Sequence, residues 1–299
     1  GTSNTIFGKN AGLSLDAGSN YNTFIGHGVS DAAMNDAINN VGVGYQALSA
    51  LTTGDGNIAI GTDAMKVHTT GTYNVAIGWK AMDDTDAGST SLGSSQNIFV
   101  GVNAGGGTWT NVESSDNVGI GAGAMAGALA GAVNNVGVGT SALAALVSGD
   151  ANTAVGTLAL STADGGEHNN VAIGYNTGGS INHDDADNNV LIGKDAGKGG
   201  AAAFTQNVAI GGSAMDGTAN EANEGCVAIG YQALRVAETE ANGTVAIGQT
   251  ALKALTTGQQ NTAVGYQALS VMTELDSNTA VGYQALKLAS GSAGGGHNV

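Results

Sequence analysis

The sequence contains no proline and only one cysteine, Cys226, among its 299 residues. Because proline cannot donate a hydrogen bond to a strand ladder, its absence favours a chain that is paired along most of its length. A single cysteine excludes a disulfide within the chain and says little about the redox compartment. We expect Cys226 to be a small buried side chain.

Basic residues and long apolar runs are also scarce. The chain has 8 Lys and Arg against 24 Asp and Glu, a formal net charge of −16. Nucleic acid and anionic membrane surfaces are therefore poor partners, because binding to phosphates needs clustered cations. No apolar run reaches the roughly 18 residues of a membrane span, so no membrane insertion is predicted. With no signal peptide visible and no initial Met, we expect a fragment of a longer protein.

What the sequence has in abundance is one short motif, typified by residues 74–78, Asn-Val-Ala-Ile-Gly. Sixteen copies begin at Asn4, Asn22, Asn40, Asn57, Asn74, Asn97, Asn117, Asn135, Asn152, Asn170, Asn189, Asn207, Cys226, Thr244, Asn261 and Asn278, and a further copy begins at Asn298. Most copies are 17 to 19 residues apart. A fixed short period predicts a solenoid. The expected fold is an all-β parallel β-solenoid of about 16 coils of about 18 residues, forming a single domain over residues 1–299.

The motif itself reads as a strand. Counting the Asn as position zero, positions 1 and 3 carry β-branched residues or Phe, and position 2 is usually Ala or Gly. This alternation has the period of two that is typical of a strand. We place positions 1 and 3 in the coil interior and position 2 on the outside. Small outer residues would let neighbouring chains approach closely.

The two ends of the motif are predicted corners. Position 4 is Gly in all sixteen copies, which indicates either a positive φ or a point too crowded for a Cβ. The motif Asn suits the other corner, where stacked amides can form a ladder. Cys226 and Thr244 interrupt this ladder, and we expect a weaker seam there. The predicted structural turn residues include Asn40, Gly44, Asn57, Gly61, Asn74, Gly78, Asn261, Gly265, Asn278 and Gly282.

The second half of each repeat gives conflicting signals. Position 8 is often Leu or Met, such as Leu48, which can fill the coil interior. Residues 46–51 have helical spacing, with Gly54 as a possible helix stop. Strands stack about 4.8 Å apart, however, whereas helices need about 8–10 Å. We expect an extended arm or a single tight turn, with a curved, helix-lined solenoid as the alternative.

At residues 261–269 and 278–286 the pattern Asn-Thr-Ala-Val-Gly-Tyr-Gln-Ala-Leu resembles known surface-fibre repeats. It is similar to the head repeat of YadA-like trimeric autotransporter adhesins, and more so to the longer repeats of phage tail fibres. The resemblance implies a left-handed parallel β-roll, three identical chains side by side, and attachment to a cell surface. The period here is longer than in the adhesin heads, and the resemblance does not extend to the anchor, stalk and chaperone domains that are typical of such fibres.

Other motifs are weighed against this interpretation. Residues 42–47 fit the dinucleotide fingerprint, but that fingerprint needs a βαβ unit of about 30 residues. Hexapeptide acyltransferases also form left-handed β-helices, but their hexad should recur three times per coil. The acidic loop 183–187 could hold a cation, although a solvated loop is preferred. No catalytic constellation, metal site or cofactor is predicted.

The longest consecutive coils span residues 74–116 and contain both tryptophans, Trp79 and Trp109. Exposed Trp on a loop suits flat ligands such as sugars, so both are candidate ligand-binding residues. The alternative is an insertion that packs on its own solenoid, with Trp as its plug.

The sequence therefore predicts a non-enzymatic structural and attachment segment. The preferred setting is a homotrimeric viral tail fibre that binds a host receptor or glycan, located in the virion or at the extracellular surface. A bacterial adhesin head is the alternative, and an acyltransferase-like enzyme is a distant one.

Overall fold

The structure is a computed structural model that describes residues 3–85, 93–110, 112–199, 203–217, 222–236, 241–274 and 276–288. The motif copy that begins at Asn298 lies outside these residues. The described residues form strands and turns, with no helix among them. They divide into two compact units, Gly1–Asp150 and Ala151–Val299.

In the first unit, eight three-residue strands, one from each motif copy, pair in parallel and in register, motif position against motif position. A separate pair of two-residue strands, Ser14–Leu15 with Ala33–Met34, lies in the first two coils. The strands are β1 (Thr5–Phe7), β2 (Ser14–Leu15), β3 (Thr23–Ile25), β4 (Ala33–Met34), β5 (Val41–Val43), β6 (Ile58–Ile60), β7 (Val75–Ile77), β8 (Ile98–Val100), β9 (Val118–Ile120) and β10 (Val136–Val138).

The second unit repeats the arrangement with eight more motif strands in parallel register, and β14 pairs with β16. Its strands are β11 (Thr153–Val155), β12 (Val171–Ile173), β13 (Val190–Ile192), β14 (Phe204–Thr205), β15 (Val208–Ile210), β16 (Asn223–Glu224), β17 (Val227–Ile229), β18 (Val245–Ile247), β19 (Thr262–Val264) and β20 (Thr279–Val281). Eight stacked strands enclose seven turns in each unit, about 14 in all. The all-β parallel solenoid is thus confirmed.

The predicted orientation of the strands is wrong. Position 2 is buried in every motif strand after β1, whereas positions 1 and 3 are half-buried or exposed. The reason is that the second arm supplies the large interior side chains. Leu48 at position 8 is fully buried, and a Cβ added to Gly42 at position 2 would lie 3.3 Å from its Cδ1. Where positions 2 and 8 meet, the interior has room for one long side chain, so the strand contributes the small one.

The second arm is a tight turn rather than a helix. Gln46 and Leu48 adopt left-handed φ values of 53° and 54°. In these conformations the two N–H groups point to opposite neighbouring coils. Gln46 donates to the His27 carbonyl of the preceding coil at 3.0 Å, and Leu48 donates to the Ala64 carbonyl of the following coil at 3.1 Å. The expected tight turn is confirmed, and the helix-lined alternative is not found in the described residues.

The position-4 glycines occupy a corner that only glycine fits. At Gly78, φ is 139°, and an added Cβ would lie 2.3 Å from the carbonyl oxygen of Gly101 in the next coil. Both predicted reasons for glycine therefore apply. Gly44, Gly61 and Gly265 likewise combine a positive φ with a backbone carbonyl that an added Cβ would strike. Gly282 shares the positive φ, at 132°.

The asparagine ladder is present and closes each coil. The Asn57 side chain donates to the Gly71 carbonyl at 2.8 Å across its own coil and to Asn40 Oδ1 at 3.2 Å. Its own Oδ1 accepts from the backbone N–H of Asn74 at 3.0 Å. The motif Asn does not itself adopt the left-handed conformation. The residue before it does, as at Asn39 and Tyr73.

Candidate functional site

The most distinctive surface is formed by the outward side chains of positions 1 and 3 in the motif strands, which we call the strand face. Large aliphatic groups are exposed along it, including Ile25, Ile60, Ile77, Ile98 and Ile120 in the first unit and Val155, Ile173 and Val281 in the second. Not one of the sixteen copies has a charged residue at either position. Repeated apolar exposure of this kind on a chain with net charge −16 makes the strand face the candidate interaction surface.

Two rows of side chains border the strand face. On one edge, position −1 carries exposed amides, such as Asn39, Gln96 and Asn134. On the other edge, position 5 carries what we call the aromatic row. It consists of His27, Tyr45 and Trp79 in the first unit, and Tyr175, Tyr231, Tyr266 and Tyr283 in the second. An apolar centre with an amide and aromatic border has the composition of a protein–protein interface.

The rings of the aromatic row stack where consecutive coils both carry one. Tyr266 and Tyr283 have centroids 5.4 Å apart and planes 9° apart, and His27 and Tyr45 have centroids 5.5 Å apart. Each pair therefore covers one face of each of its rings.

Trp79 differs because the neighbouring coils carry Thr62 and Val102 at position 5. Its side chain is 51% exposed, and the Lys80 ammonium lies 5.4 Å from the ring centroid. Lys80 also pairs with Asp83 at 3.3 Å. Burial raises the pKa of the Asp83 carboxyl, an effect that the nearby Lys80 opposes. The site therefore presents an exposed aromatic face and an ammonium donor side by side.

Trp109 is placed differently from Trp79. It is fully buried, it meets Phe99 edge to face at a centroid distance of 5.9 Å, and its Nε1 donates to the Gly105 carbonyl at 3.0 Å. It plugs the long coil, as the alternative interpretation anticipated. The structure does not bring the two tryptophans together into one exposed site, and Trp109 is not available at the surface for a ligand.

Cys226 and Thr244 occupy motif position zero in consecutive coils and are both buried. The Cys226 thiol donates to the Ala241 carbonyl at 3.0 Å, taking over one role of the amide, and its sulfur faces the backbone N–H of Thr244 in the next coil, for which an amide oxygen would be the stronger acceptor. Thr244 Oγ1 accepts the Asn261 N–H at 3.4 Å, which is longer than the ladder bonds elsewhere. Burial raises the pKa of the Cys226 thiol to about 11. Cys226 is therefore a buried free thiol, and its predicted burial is confirmed.

A second ladder was missed by sequence reasoning. A carboxylate two residues before a motif Asn accepts the backbone N–H at the same position of the preceding coil. Asp55 accepts from Ile38 at 2.7 Å, Asp150 from Val133 at 2.9 Å, and Asp276 from Gln259 at 2.8 Å. The recurrence of Asp at position −2 was the available signal. Four of the 24 acidic residues, Asp55, Asp150, Asp187 and Asp276, thus make a structural contact between coils.

Two further candidate sites from the sequence are the acidic loop 183–187 and the dinucleotide fingerprint at residues 42–47. In loop 183–187, Asp187 accepts the His168 N–H at 2.6 Å, and His183 Nδ1 lies 3.8 Å from Asp185. The described residues contain no cluster of three metal-ligating side chains. Residues 42–47 form the end of a strand and a turn, not the helix N-terminus that dinucleotide binding needs.

Comparisons with known proteins complete this description. The described residues include no helix with the length and hydropathy of a membrane span. No protein-family model and no curated protein matches the chain.

Proposed function

We propose that this chain is a structural and attachment segment of a trimeric surface fibre, of the phage tail-fibre kind, and that it has no catalytic role. The observation that carries the proposal is the strand face. Most of the sixteen motif strands keep their aliphatic residues on the outside and a small residue on the inside. Such a surface suits a protein whose task is to hold its shape and to assemble.

The proposed assembly is three identical chains side by side, each a left-handed roll. Each coil is thin, with interior positions held by Ala and one or two long side chains, such as Ala47 and Leu48. Ordering about 18 residues costs roughly 1–2 kcal/mol apiece for the backbone alone. Further apolar burial between chains would offset part of this cost. The strand face replaces the small position-2 residues as the support for assembly.

Attachment is assigned to Trp79, on the aromatic row and in the longest consecutive coils. Its exposed ring beside Lys80 suits a host-surface glycan, which would stack on the indole and donate or accept hydrogen bonds at its hydroxyls. Trp109 belongs to the scaffold that holds this coil.

Two measurements test the proposal. Sedimentation equilibrium of the chain should give three times its 29.0 kDa mass, and a monomer at all concentrations would contradict the assembly. On a glycan array and on whole bacterial cells, Trp79→Ala should abolish binding, Trp79→Tyr should retain part of it, and Tyr45→Ala should leave it unchanged. If Trp79→Ala binds like the natural chain, the attachment role of Trp79 is wrong.

A further inference from the structure

We infer that the buried pair His68 and Thr85 is a pH-sensitive switch in the first unit, in which protonation of His68 breaks the asparagine ladder at Asn74, where the longest consecutive coils begin. His68 is 1% exposed, Thr85 is fully buried, and His68 Nδ1 lies 2.9 Å from Thr85 Oγ1. His68 is the only buried histidine among the residues that the structure describes. The inference concerns the opening of coils and does not rest on the attachment role of Trp79.

The two side chains occupy a position that other coils fill with an apolar group. Counted from the motif Asn, position 11 is His68 in one coil and Thr85 in the next. Five other coils carry a buried aliphatic or Met side chain there: Leu51, Leu146, Ile181, Leu255 and Met272. An apolar side chain does not titrate, whereas an imidazole changes its charge between pH 5 and 8. His68 therefore places a titratable group in the coil interior.

The neighbouring Asn74 fixes which nitrogen of His68 carries the proton. The Asn74 side-chain nitrogen donates to the Ser94 carbonyl at 2.9 Å, and Asn74 Oδ1 accepts the Asn97 backbone N–H at 3.0 Å. These backbone partners set the orientation of the amide, so its nitrogen acts as a donor only. His68 Nε2 lies 3.2 Å from that nitrogen and must accept from it. Nδ1 therefore carries the proton and donates to Thr85 Oγ1, and the imidazole is neutral.

Protonation of His68 would set an N–H at Nε2 against the N–H groups of Asn74. The amide cannot turn over to offer its oxygen, because Asn74 Oδ1 already accepts the backbone and side-chain N–H groups of Asn97, at 3.0 and 3.1 Å. The imidazolium would also be a charge in a buried place, which is costly. If Asn74 moves to relieve the contact, it loses its bonds to Asn97 and its 3.1 Å bond to Asn57 Oδ1.

The charged side chains of the surrounding coils are engaged with other groups. Six of them lie among the described residues of 40–96, and each has a partner of its own: Asp63 with Lys66 at 3.4 Å, Lys80 with Asp83 at 3.3 Å, Asp55 with the Ile38 N–H at 2.7 Å, and Asp84 with the Thr108 hydroxyl at 2.8 Å. A carboxylate that moved to pair with His68 would have to give up one of these contacts.

The direction of the pH dependence follows from the two states. In the unfolded chain an imidazole binds a proton with a pKa of about 6.5. The folded coil opposes the same proton, so the open state binds more protons below that pH. The free energy of opening is therefore fully present above about pH 6.5 and falls as the pH drops below it. At pH 5 the opening equilibrium is favoured by at most about 30-fold, since each unit is tenfold. The opening starts at β7, which leads directly to Trp79.

Hydrogen exchange of the whole chain, followed by mass spectrometry, tests the switch locally. Protection factors, which correct for the intrinsic pH dependence of exchange, are compared at pH 7.5 and pH 5. The segments are residues 74–78 and 97–101 at the switch and the remote motif at 135–139. In the natural chain, protection of the first two segments should fall at least tenfold more than protection of the third. Equal falls in all three segments, or no fall, would overturn the inference.

Three variants separate His68 from the other titrating groups. In His68→Gln the side-chain carbonyl can still accept from Asn74 but binds no proton, and the double variant His68→Leu, Thr85→Val restores an apolar interior. Both should lose the selective fall, and either one decides the matter if the other fails to fold. His27→Gln is the matched control, because His27 is exposed and stacks on Tyr45. It should behave as the natural chain does. A selective fall that persists without His68, or that disappears in the control, shows that His68 is not the switch.

Discussion

Phe99 at position 2 and Gly105 at position 8 of the same coil occupy one space: a Cβ on Gly105 would lie 2.8 Å from Phe99 Cδ1. Most other coils reverse the sizes, as in the coil with Ala59 and Met65, both fully buried. Leu191 with Gly197, and Ile6 with Gly12, follow the Phe99 arrangement. Positions 2 and 8 thus share one volume, with one large and one small member in every coil except that of Ala172 and Gly178, where Leu160 and Leu191 of the neighbouring coils fill the space.

This relationship predicts the result of exchanging the two sizes. Phe99→Ala should lower the free energy of unfolding by about 3–5 kcal/mol, because it leaves a cavity beside Trp109. Gly105→Leu alone should also destabilise, by overpacking. The double variant Phe99→Ala, Gly105→Leu rebuilds the common arrangement and should recover much of the loss. Urea unfolding of all three measures it. Simple addition of the two single losses would refute the shared volume.

The asparagine ladder can be repaired where it is interrupted. Cys226→Asn with Thr244→Asn restores an acceptor and a donor in consecutive coils, and should raise the free energy of unfolding by about 1–3 kcal/mol. Asn57→Cys, which creates the same interruption in the first unit, should lower it by a similar amount. Chemical denaturation of the three chains provides the comparison. No gain from the repair would show that the thiol and hydroxyl already satisfy this seam.

The corner glycines should tolerate no side chain. Gly78→Ala must place a Cβ against the Gly101 carbonyl at a φ of 139°, so we expect a loss of more than about 2 kcal/mol. The matched control is Gly225→Asn. At Gly225, φ is 65°, nothing lies within 4 Å of an added Cβ, and Asn tolerates this conformation. Thermal unfolding should show a large shift for the first variant and little for the second. Equal shifts would contradict the crowding argument.

The buried Glu167 predicts a pH-dependent stability difference. Its carboxyl is fully buried, Oε2 accepts the Gly165 N–H at 2.9 Å, and Oε1 has no hydrogen-bond partner among the described residues. Burial raises its pKa above the ordinary value of about 4.3. The folded state then binds the proton more tightly than the unfolded state. The contribution of Glu167 to the free energy of unfolding therefore falls as the pH rises from its unfolded-state pKa towards its raised folded-state pKa.

Glu167→Gln removes this penalty, since a neutral amide carries no charge to desolvate. The variant should be more stable than the natural chain at pH 7, and the difference should shrink as the pH falls towards 4. The melting temperatures of both chains are measured at the two pH values, and the difference between the chains is compared. The other carboxylates are the same in both chains, so their contributions cancel in this difference. A difference independent of pH would show that the buried charge is not its cause.

The repeat, the strand of each motif, the glycine corner and the amide ladder were all predictable from the sequence, because each is a local need met again in every coil. The side of each motif strand that faces the coil interior was not predictable. An alternation of Ile and Ala has the same period whichever side is inside, and only the long side chain at position 8 decides it. The exceptions at position 2, Phe99 and Leu191, each with a glycine six residues later, contained that information.

The tryptophans show the same limit. The length of the coils indicated that Trp79 and Trp109 lie in an unusual part of the repeat. It could not distinguish a buried Trp that fills the coil interior from an exposed Trp that a ligand could contact. Trp109 is buried because Phe99 and the Gly105 carbonyl provide an edge-to-face contact and a hydrogen-bond acceptor. Trp79 is at position 5, directly after the corner glycine, and side chains at position 5 face outward. A position number within the repeat therefore indicates exposure better than residue type does.

The central claim is that other copies of the chain cover the outward aliphatic rows, and thiol alkylation tests it most directly. In a Cys226→Asn background, Ile173→Cys places a thiol on the strand face and Val271→Cys places one on the second arm, at sites 40% and 52% exposed in the single chain. The account predicts rapid alkylation of Val271→Cys, and at least tenfold slower alkylation of Ile173→Cys that becomes rapid once the oligomer is diluted apart. Equal rates at every protein concentration would contradict it.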